Sequence, residues 1–176
     1  TDADCVPASE LWIDKMQETF DDNTEIVLGY GAYHKKAGLL NKIVRWETFH
    51  TALQYFSYAL AGKPYMGVGR NLGYASEVFF GASGPRRHNH LMSGDDDLLI
   101  NEVARRNNTA VVADPRSFMT TRATPDLATW IRRKRRHYTT AVHYRFGHQV
   151  LLTLLPLARM VFWACLVLLI IRARWI

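Results

Sequence analysis

Cysteine is scarce in this sequence, and its two cysteines, Cys5 and Cys165, lie in no Cys-x-x-Cys pattern. Their scarcity and spacing argue against a disulfide framework and a zinc knuckle, and fit a reducing cytoplasm. The sequence also lacks an internal repeat and a low-complexity linker. Gly67, Gly69 and Gly73 do not follow the G-x-G-x-x-G spacing, so a dinucleotide-binding fingerprint is not expected.

The composition indicates one folded domain of ordinary size. The chain has 176 residues, of which 48% are hydrophobic and 12% aromatic, and this argues against disorder. Its formal charge of +6 at pH 7 favours anionic partners. Short helices and strands are predicted to alternate, so the predicted class is α/β. The pattern predicts helices from residue 8, over 38–60, 76–80 and 95–106, and from 125 toward 144, and strands over 25–30 and 109–113.

Residues 150–171 form an apolar run in which Arg159 is the main polar interruption. A helix of that length would be about 33 Å long, which is enough to cross a bilayer. The alternative is a buried amphipathic helix followed by a short apolar one, divided at Pro156 and Arg159. Because the larger basic cluster precedes the run, we expect residues 1–148 on the cytoplasmic face of the cell's inner (plasma) membrane. The predicted division is a domain over 1–148 and a transmembrane helix with a basic flank over 149–176.

Two carboxylates, Asp2 and Asp4, lie one residue apart at the start of the chain. In an extended segment such residues project to the same side, so both could offer oxygens to one hard divalent cation. Asp-x-Asp is also common in solvated loops, so the pair is weak evidence by itself.

A second acidic cluster begins with Ser93 and Gly94 and continues with Asp95, Asp96 and Asp97. Its structural interpretation is that one carboxylate caps a helix and the others complement the helix dipole. Its functional interpretation is that a carboxylate at a loop-to-helix junction acts as a general base toward an acceptor hydroxyl.

A basic cluster occupies residues 132–136, with His137 directly after it. Such a run is often a solvated face, a membrane-surface patch or a nucleic-acid contact. Arg133 and Arg136 are three residues apart, so on a helix they face one way and could clamp a diphosphate or sugar hydroxyls. Trp130 and Tyr138 add flat surfaces on which a sugar ring could stack.

The order Asp-x-Asp, then Ser-Gly-Asp-Asp, then Arg-x-x-Arg-His before an apolar helix resembles the membrane-bound family 2 glycosyltransferases. These are relatives of the cellulose, hyaluronan and poly-N-acetylglucosamine synthases. The resemblance implies a GT-A fold, a nucleotide-diphosphate sugar donor, Mg²⁺ or Mn²⁺ as cofactor, and a saccharide or lipid-linked acceptor. It implies the lipid bilayer as a further partner and no nucleic acid. The family's βαβ unit for the nucleotide base would precede residue 1, so we expect this chain to be the carboxy-terminal part.

The resemblance also implies a role for individual residues. Asp2 and Asp4 match the metal and diphosphate carboxylates, and Asp95 matches the catalytic base. Arg136 matches the Arg of the family's Gln-x-x-Arg-Trp motif. The remaining predicted donor-binding or acceptor-binding residues are Arg133 and His137, which replace the Gln and Trp of that motif, and Gly69, Arg70, Asn71 and Asp96.

The leading hypothesis is therefore an inverting glycosyltransferase fragment acting at the cytoplasmic membrane face. One rival is a non-catalytic module that binds a membrane surface or nucleic acid through its basic cluster. A second rival is a truncated remnant without activity. Because two of three motif residues differ, processive polymer synthesis is not implied.

Overall fold

The computed structural model describes residues 1–82, 94, 96–124 and 126–173. Within these residues the chain is a mixed α/β protein with two small sheets and six α-helices. The elements in chain order are β1 (Val6–Pro7), α1 (Trp12–Gln17), β2 (Ile26–Leu28), β3 (Gly31–Tyr33), α2 (Leu39–Leu60), β4 (Leu72–Tyr74), α3 (Ser76–Gly81), α4 (Asp97–Val103), β5 (Thr109–Val111), a 3-10 turn (Pro115–Ser117), β6 (Met119–Thr121), α5 (Leu127–Ala141) and α6 (Phe146–Ala173).

The core lies around β2, all of whose side chains are buried. This strand pairs antiparallel with β4 and parallel with β5. The other sheet has the order β1-β6-β3, with β1 antiparallel and β3 parallel to β6. A continuous apolar strand buried on both faces is what a parallel pairing favours.

The strand predicted over residues 25–30 is confirmed in a shorter form, Ile26–Leu28, and a second strand that was not predicted follows it. The chain passes at Gly29 from the sheet of Ile26–Leu28 to Gly31–Tyr33 in the other sheet. A Cβ on Gly29 would lie 2.4 Å from the side-chain nitrogen of Asn71, so only glycine fits at this crossing. The sequence pattern did not predict the second strand because it has only three residues.

The long helix α2 packs on the core through one face, and it confirms the helix predicted over residues 38–60. Its start follows Gly38, whose φ of 108° is a left-handed value, and the chain leaves the helix at Gly62, whose φ is 76°. The hydroxyl of Tyr55 donates a 2.7 Å hydrogen bond to the carbonyl of Gly29. Burial raises the pKa of this phenol strongly, as expected for an inward-facing structural tyrosine.

Helix α5 begins at a capped end and packs against α4. The carboxylate of Asp126 accepts hydrogen bonds from the backbone N–H and the hydroxyl of Thr129, both 2.8 Å long. Further along, the Thr140 hydroxyl donates a 2.8 Å hydrogen bond to the buried carboxylate of Asp97. Gly94 contributes to this contact, because a Cβ there would lie 3.0 Å from Thr140. These contacts fix the basic helix against the start of α4.

The chain divides into two compact units, Thr1–His143 and Tyr144–Ile176. The sequence places the same division at residue 148. The second unit is formed mainly by α6, a single helix that continues through Pro156 and has no buried residue. The alternative of two helices divided at Pro156 and Arg159 is therefore wrong. Helix α6 is long and apolar enough to cross a membrane.

Candidate active site

The two carboxylates at the start of the chain lie in a turn. The Cys5 N–H donates a 3.1 Å hydrogen bond to the Asp2 carbonyl, so residues 2–5 are not the extended segment that the sequence predicted. The turn leads directly into β1, and β6 supports it, because the Thr121 hydroxyl donates a 2.9 Å hydrogen bond to the Asp4 carboxylate. The bend brings Asp2 and Asp4 together by a different geometry from the predicted one.

Asp2, Asp4 and Cys5 each offer an atom to a common point, and these atoms lie within 4.8 Å of one another. Both aspartates are exposed and the cysteine is half-buried. Burial raises the pKa of the Cys5 thiol, and the charges of Asp2 and Asp4 raise it further. The thiol is therefore protonated near neutral pH, which leaves the carboxylates as the charged ligands in this turn. Carboxylate oxygens are what Mg²⁺ and Mn²⁺ prefer.

The second acidic cluster is joined to the glycine-rich segment by a hydrogen bond. Residues 68–71 form a β-turn in which the Asn71 N–H donates to the Val68 carbonyl at 2.9 Å. The Gly69 N–H in this turn donates to Asp96 Oδ2 at 2.5 Å. The other oxygen of Asp96 accepts from the Asp97 N–H at 2.8 Å, so Asp96 is the N-cap of α4. The predicted helix-capping role of one carboxylate is confirmed.

Gly69 is the point where the two acidic clusters meet. A Cβ on Gly69 would lie 3.0 Å from Asp96 Oδ2 and 3.3 Å from Asp2 Oδ1. A methyl group at this position would require one of the carboxylates to shift by a few tenths of an ångström, so glycine favours the close approach of both. Asp95, the predicted catalytic base, lies outside the described residues, although Asp96 is its neighbour in the sequence.

Arg70 follows Gly69 and is the cation of this turn. Its guanidinium lies over the ring of Tyr33, with 4.6 Å between the guanidinium carbon and the ring centroid. Its Nη1 atom is buried and has no hydrogen-bond partner among the described residues. Its positive charge partly offsets the rise in the pKa of the Cys5 thiol and adds to the larger effects that lower the pKa of His137, so it acts on the acidic turn and on α5. Arg70 therefore presents positive charge between the acidic turn and the basic helix.

Asn71, a predicted ligand-binding residue, is fully buried and used internally. Its side-chain oxygen accepts a 3.0 Å hydrogen bond from the Trp12 indole. Its amide nitrogen donates to the carbonyls of Tyr30 and Ser117 at 3.1 and 2.8 Å. With an exposure of 0%, Asn71 fixes the turn that carries Gly69 and Arg70, and any effect on a ligand would be indirect.

The predicted basic residues lie on α5. Arg133 is half-buried, Arg136 is exposed, and His137 is only partly exposed. Partial burial and the charges of Lys134 and Arg136 hold the pKa of His137 below its usual value, while Asp97 acts in the opposite direction. The imidazole is therefore neutral at pH 7, and the arginines carry the positive charge of this helix.

Sequence reasoning missed several contacts that build this site. Thr121 supports Asp4, Tyr33 supports Arg70, and Thr140 supports Asp97. Each support joins residues that are distant in sequence and belong to no motif. The short strands β3 and β6, which carry two of these supports, gave no signal because each has only three residues.

Comparisons with known proteins identify no relative of this chain. A scan against protein-family models finds no match, and a search of curated protein sequences finds no match either. The convergence of Asp2 and Asp96 on Gly69, with Arg70 beside them, is therefore the observation from which a function has to be inferred.

Proposed function

We propose that this chain is the carboxy-terminal part of an inverting glycosyltransferase of GT-A type. It would move a sugar from a nucleotide-diphosphate donor to an acceptor hydroxyl at the cytoplasmic membrane face. The observation that carries the proposal is the meeting of two distant acidic clusters at Gly69. Such a transfer needs carboxylates for a metal, a neighbouring segment with a candidate base and a cation for the diphosphate.

Asp2 and Asp4 are the residues that would hold Mg²⁺ or Mn²⁺. The donor set fits, since two carboxylates within one turn suit a hard cation and the neighbouring thiol is protonated. A bound divalent cation would neutralise charge on the diphosphate. Arg70 would donate a hydrogen bond to a phosphate oxygen, since one of its N–H groups has no partner within the described chain.

Asp95 is the proposed general base. It would take the proton from the acceptor hydroxyl as that oxygen bonds to the anomeric carbon, and the bond from that carbon to the diphosphate oxygen would break. The configuration at the anomeric carbon inverts because attack and departure occur on opposite faces. Arg133, Arg136 and His137 would steady the diphosphate or the acceptor from α5.

Helix α6 supports the membrane part of the proposal by its length and composition. The basic cluster at residues 132–136 precedes this helix. Positive residues beside a membrane-spanning helix favour the cytoplasmic side, and we propose that residues 1–143 lie on that side. The acceptor would be a saccharide or a lipid-linked molecule.

Nucleotide binding tests the metal site and is measured in the longest natural chain, which the proposal expects to hold the half that binds the nucleotide base. In detergent, UDP or GDP with Mn²⁺ should raise the melting temperature of the wild type by mass action. The shift should vanish in Asp4→Ala and persist in Asp22→Ala, a matched control at an exposed turn. A shift that Asp4→Ala retains would remove Asp4 from the metal site. No shift with either nucleotide would favour the basic binding module or the inactive remnant.

Sugar transfer tests the base. Because the proposal places the half that binds the nucleotide base before residue 1, transfer is assayed in the longest natural chain. Asp95→Asn should lower turnover by about 10²- to 10⁴-fold, the usual contribution of a general base, while donor binding survives. Near-normal turnover in this variant would show that the base assignment is wrong.

A further inference from the structure

Helix α2 has two apolar faces, only one of which is used by the fold. The face toward the core carries the buried residues Val44, Ala52, Tyr55 and Ala59. The opposite face is largely apolar as well. The exposed apolar side chains on that face are Leu39 at 72%, Trp46 at 64%, Leu53 at 51% and Leu60 at 77%, with Ile43 at 41% and Phe49 at 56% toward its edges. Lys42 and Ser57 are exposed polar residues among them.

The exposed residues of α2 form a stripe with helical spacing. From Leu39 the apolar positions recur after three, four or seven residues, which keeps them on one side of the helix. A surface helix of a soluble domain normally carries polar residues on its outer face. An exposed apolar stripe of this length indicates a surface that a membrane or another molecule covers.

Helix α5 lies beside α2 and extends the apolar stripe. Lys134 of α5 forms an ion pair with Glu47 of α2. Ile131 and Tyr138 are exposed apolar or aromatic residues on the same face of α5. Together the two helices bound a pocket of about 310 Å³, lined by Glu47, Trp130, Ile131, Lys134, Arg135 and Tyr138. We call this surface, with the α2 stripe, the α2–α5 face.

The α2–α5 face combines apolar surface with positive charge. Arg135 is exposed at its edge and Arg132 is exposed one turn earlier. The ring of Trp130 lines the pocket beside them. Basic side chains and an aromatic ring are suited to the headgroup layer of a bilayer.

We propose that the α2–α5 face lies in the interfacial layer of a bilayer that contains anionic phospholipid. A bilayer is favoured over a protein partner by charge and by chain connection. The arginines on α5 complement anionic headgroups. Helix α5 ends at Ala141 and the apolar helix α6 begins at Phe146, so the short connection keeps the end of α5 close to any membrane that α6 enters.

This inference goes beyond sugar transfer and holds whether or not the chain has that activity. The apolar stripe would be immersed to the depth typical of interfacial helices, about 5–10 Å below the headgroups. The α2–α5 face would then be a second membrane contact, in addition to α6, and it would restrict how the first unit is oriented at the bilayer surface.

The immersion is measured by spin labels on the full chain in vesicles. In a background with Cys5→Ser and Cys165→Ser, a nitroxide is placed by Leu53→Cys on the stripe, by Asp22→Cys at an exposed turn, or by Val167→Cys in α6. Vesicles contain phosphatidylcholine with or without phosphatidylglycerol. Collision rates with oxygen report an apolar environment, and those with a water-soluble nickel chelate report water.

With phosphatidylglycerol present, the Leu53→Cys label should show a several-fold higher ratio of oxygen to nickel collisions than the Asp22→Cys label. Reversing Arg132 and Arg135 to Glu should lower this ratio for the Leu53→Cys label by several-fold in the phosphatidylglycerol vesicles. The Val167→Cys label should be shielded from nickel in every vesicle. These three results together support the proposal.

Three outcomes would overturn the proposal. The Leu53→Cys label could stay as open to nickel as the Asp22→Cys label in both kinds of vesicle. It could be shielded from both probes already in detergent, which would mean that a second copy or another protein segment covers the stripe. The Val167→Cys label could be open to nickel, which would also remove the membrane part of the proposed function without touching nucleotide binding.

Discussion

Asp2 and Asp96 approach the same side of Gly69, with carboxylate oxygens 3.3 and 3.0 Å from the position of a Cβ atom there. They belong to different acidic clusters that are distant in the sequence. Asp96 is held by the Gly69 N–H and the start of α4, whereas Asp2 is carried by the turn before β1. Any molecule that uses both clusters must therefore bind at Gly69.

Gly69→Ala tests this convergence. The new methyl group lies at distances that require one carboxylate to shift by a few tenths of an ångström. We expect a stability loss of about 1 kcal/mol or less and a weakening of nucleotide binding in the presence of Mn²⁺, since small displacements at a site are costly. Melting curves with and without nucleotide measure both effects.

The control for this substitution is Gly81→Ala, because a Cβ on Gly81 would meet nothing within 4 Å. It should leave nucleotide binding unchanged and stability unchanged or raised by up to about 1 kcal/mol. If Gly69→Ala and Gly81→Ala bind nucleotide equally well, the two carboxylates do not act at one site.

Asn71→Ala should destabilise the first unit by about 2–4 kcal/mol, because the indole of Trp12 and the carbonyls of Tyr30 and Ser117 lose their partner inside the protein. Thermal unfolding in detergent measures the change. The exposed Asn107→Ala is the matched control and should be neutral. A loss of nucleotide binding at full stability would instead make Asn71 a direct ligand residue.

These residues show which parts of the structure the sequence could predict. Periodicity predicted α2 and α6 well because each is long and strongly patterned. It failed for Asp2 and Asp4, since one backbone hydrogen bond converts an extended segment into a turn. The resemblance to the glycosyltransferases assigned Asn71 to a ligand, because a single amide in a glycine-rich segment has the same sequence signature whether it binds a substrate or fixes a loop.

His137 should titrate at lower pH than an ordinary histidine, whose pKa is about 6.5. Partial burial and the charges of Lys134 and Arg136 cause this shift. Arg136→Gln should raise the pKa, since it removes one of these charges, and NMR titration of the imidazole measures it. A value at or above the ordinary one in the wild type would show that the basic helix does not act on this side chain.

The same shift fixes the sign of a pH effect on stability. As the pH falls, the unfolded chain takes up this proton before the folded chain does, so the folded state loses stability from near pH 6.5 downward until the folded pKa is passed. His137→Gln should remove this part of the pH dependence. An unchanged pH profile in the variant would assign the slope to other groups.

Arg70→Met should change stability and anion binding in opposite directions. A buried N–H without a partner costs about 1–3 kcal/mol, whereas the contact of Arg70 with Tyr33 contributes about 0.5–2 kcal/mol. The free protein should therefore be as stable as the wild type or more stable. Nucleotide binding should weaken about tenfold or more, because a charge-assisted hydrogen bond to phosphate is lost.

The control is Lys63→Met, at an exposed cation outside the turn, which should change neither stability nor nucleotide binding. A variant that is clearly destabilised but binds nucleotide normally would make Arg70 a structural residue and leave the diphosphate without its proposed cation.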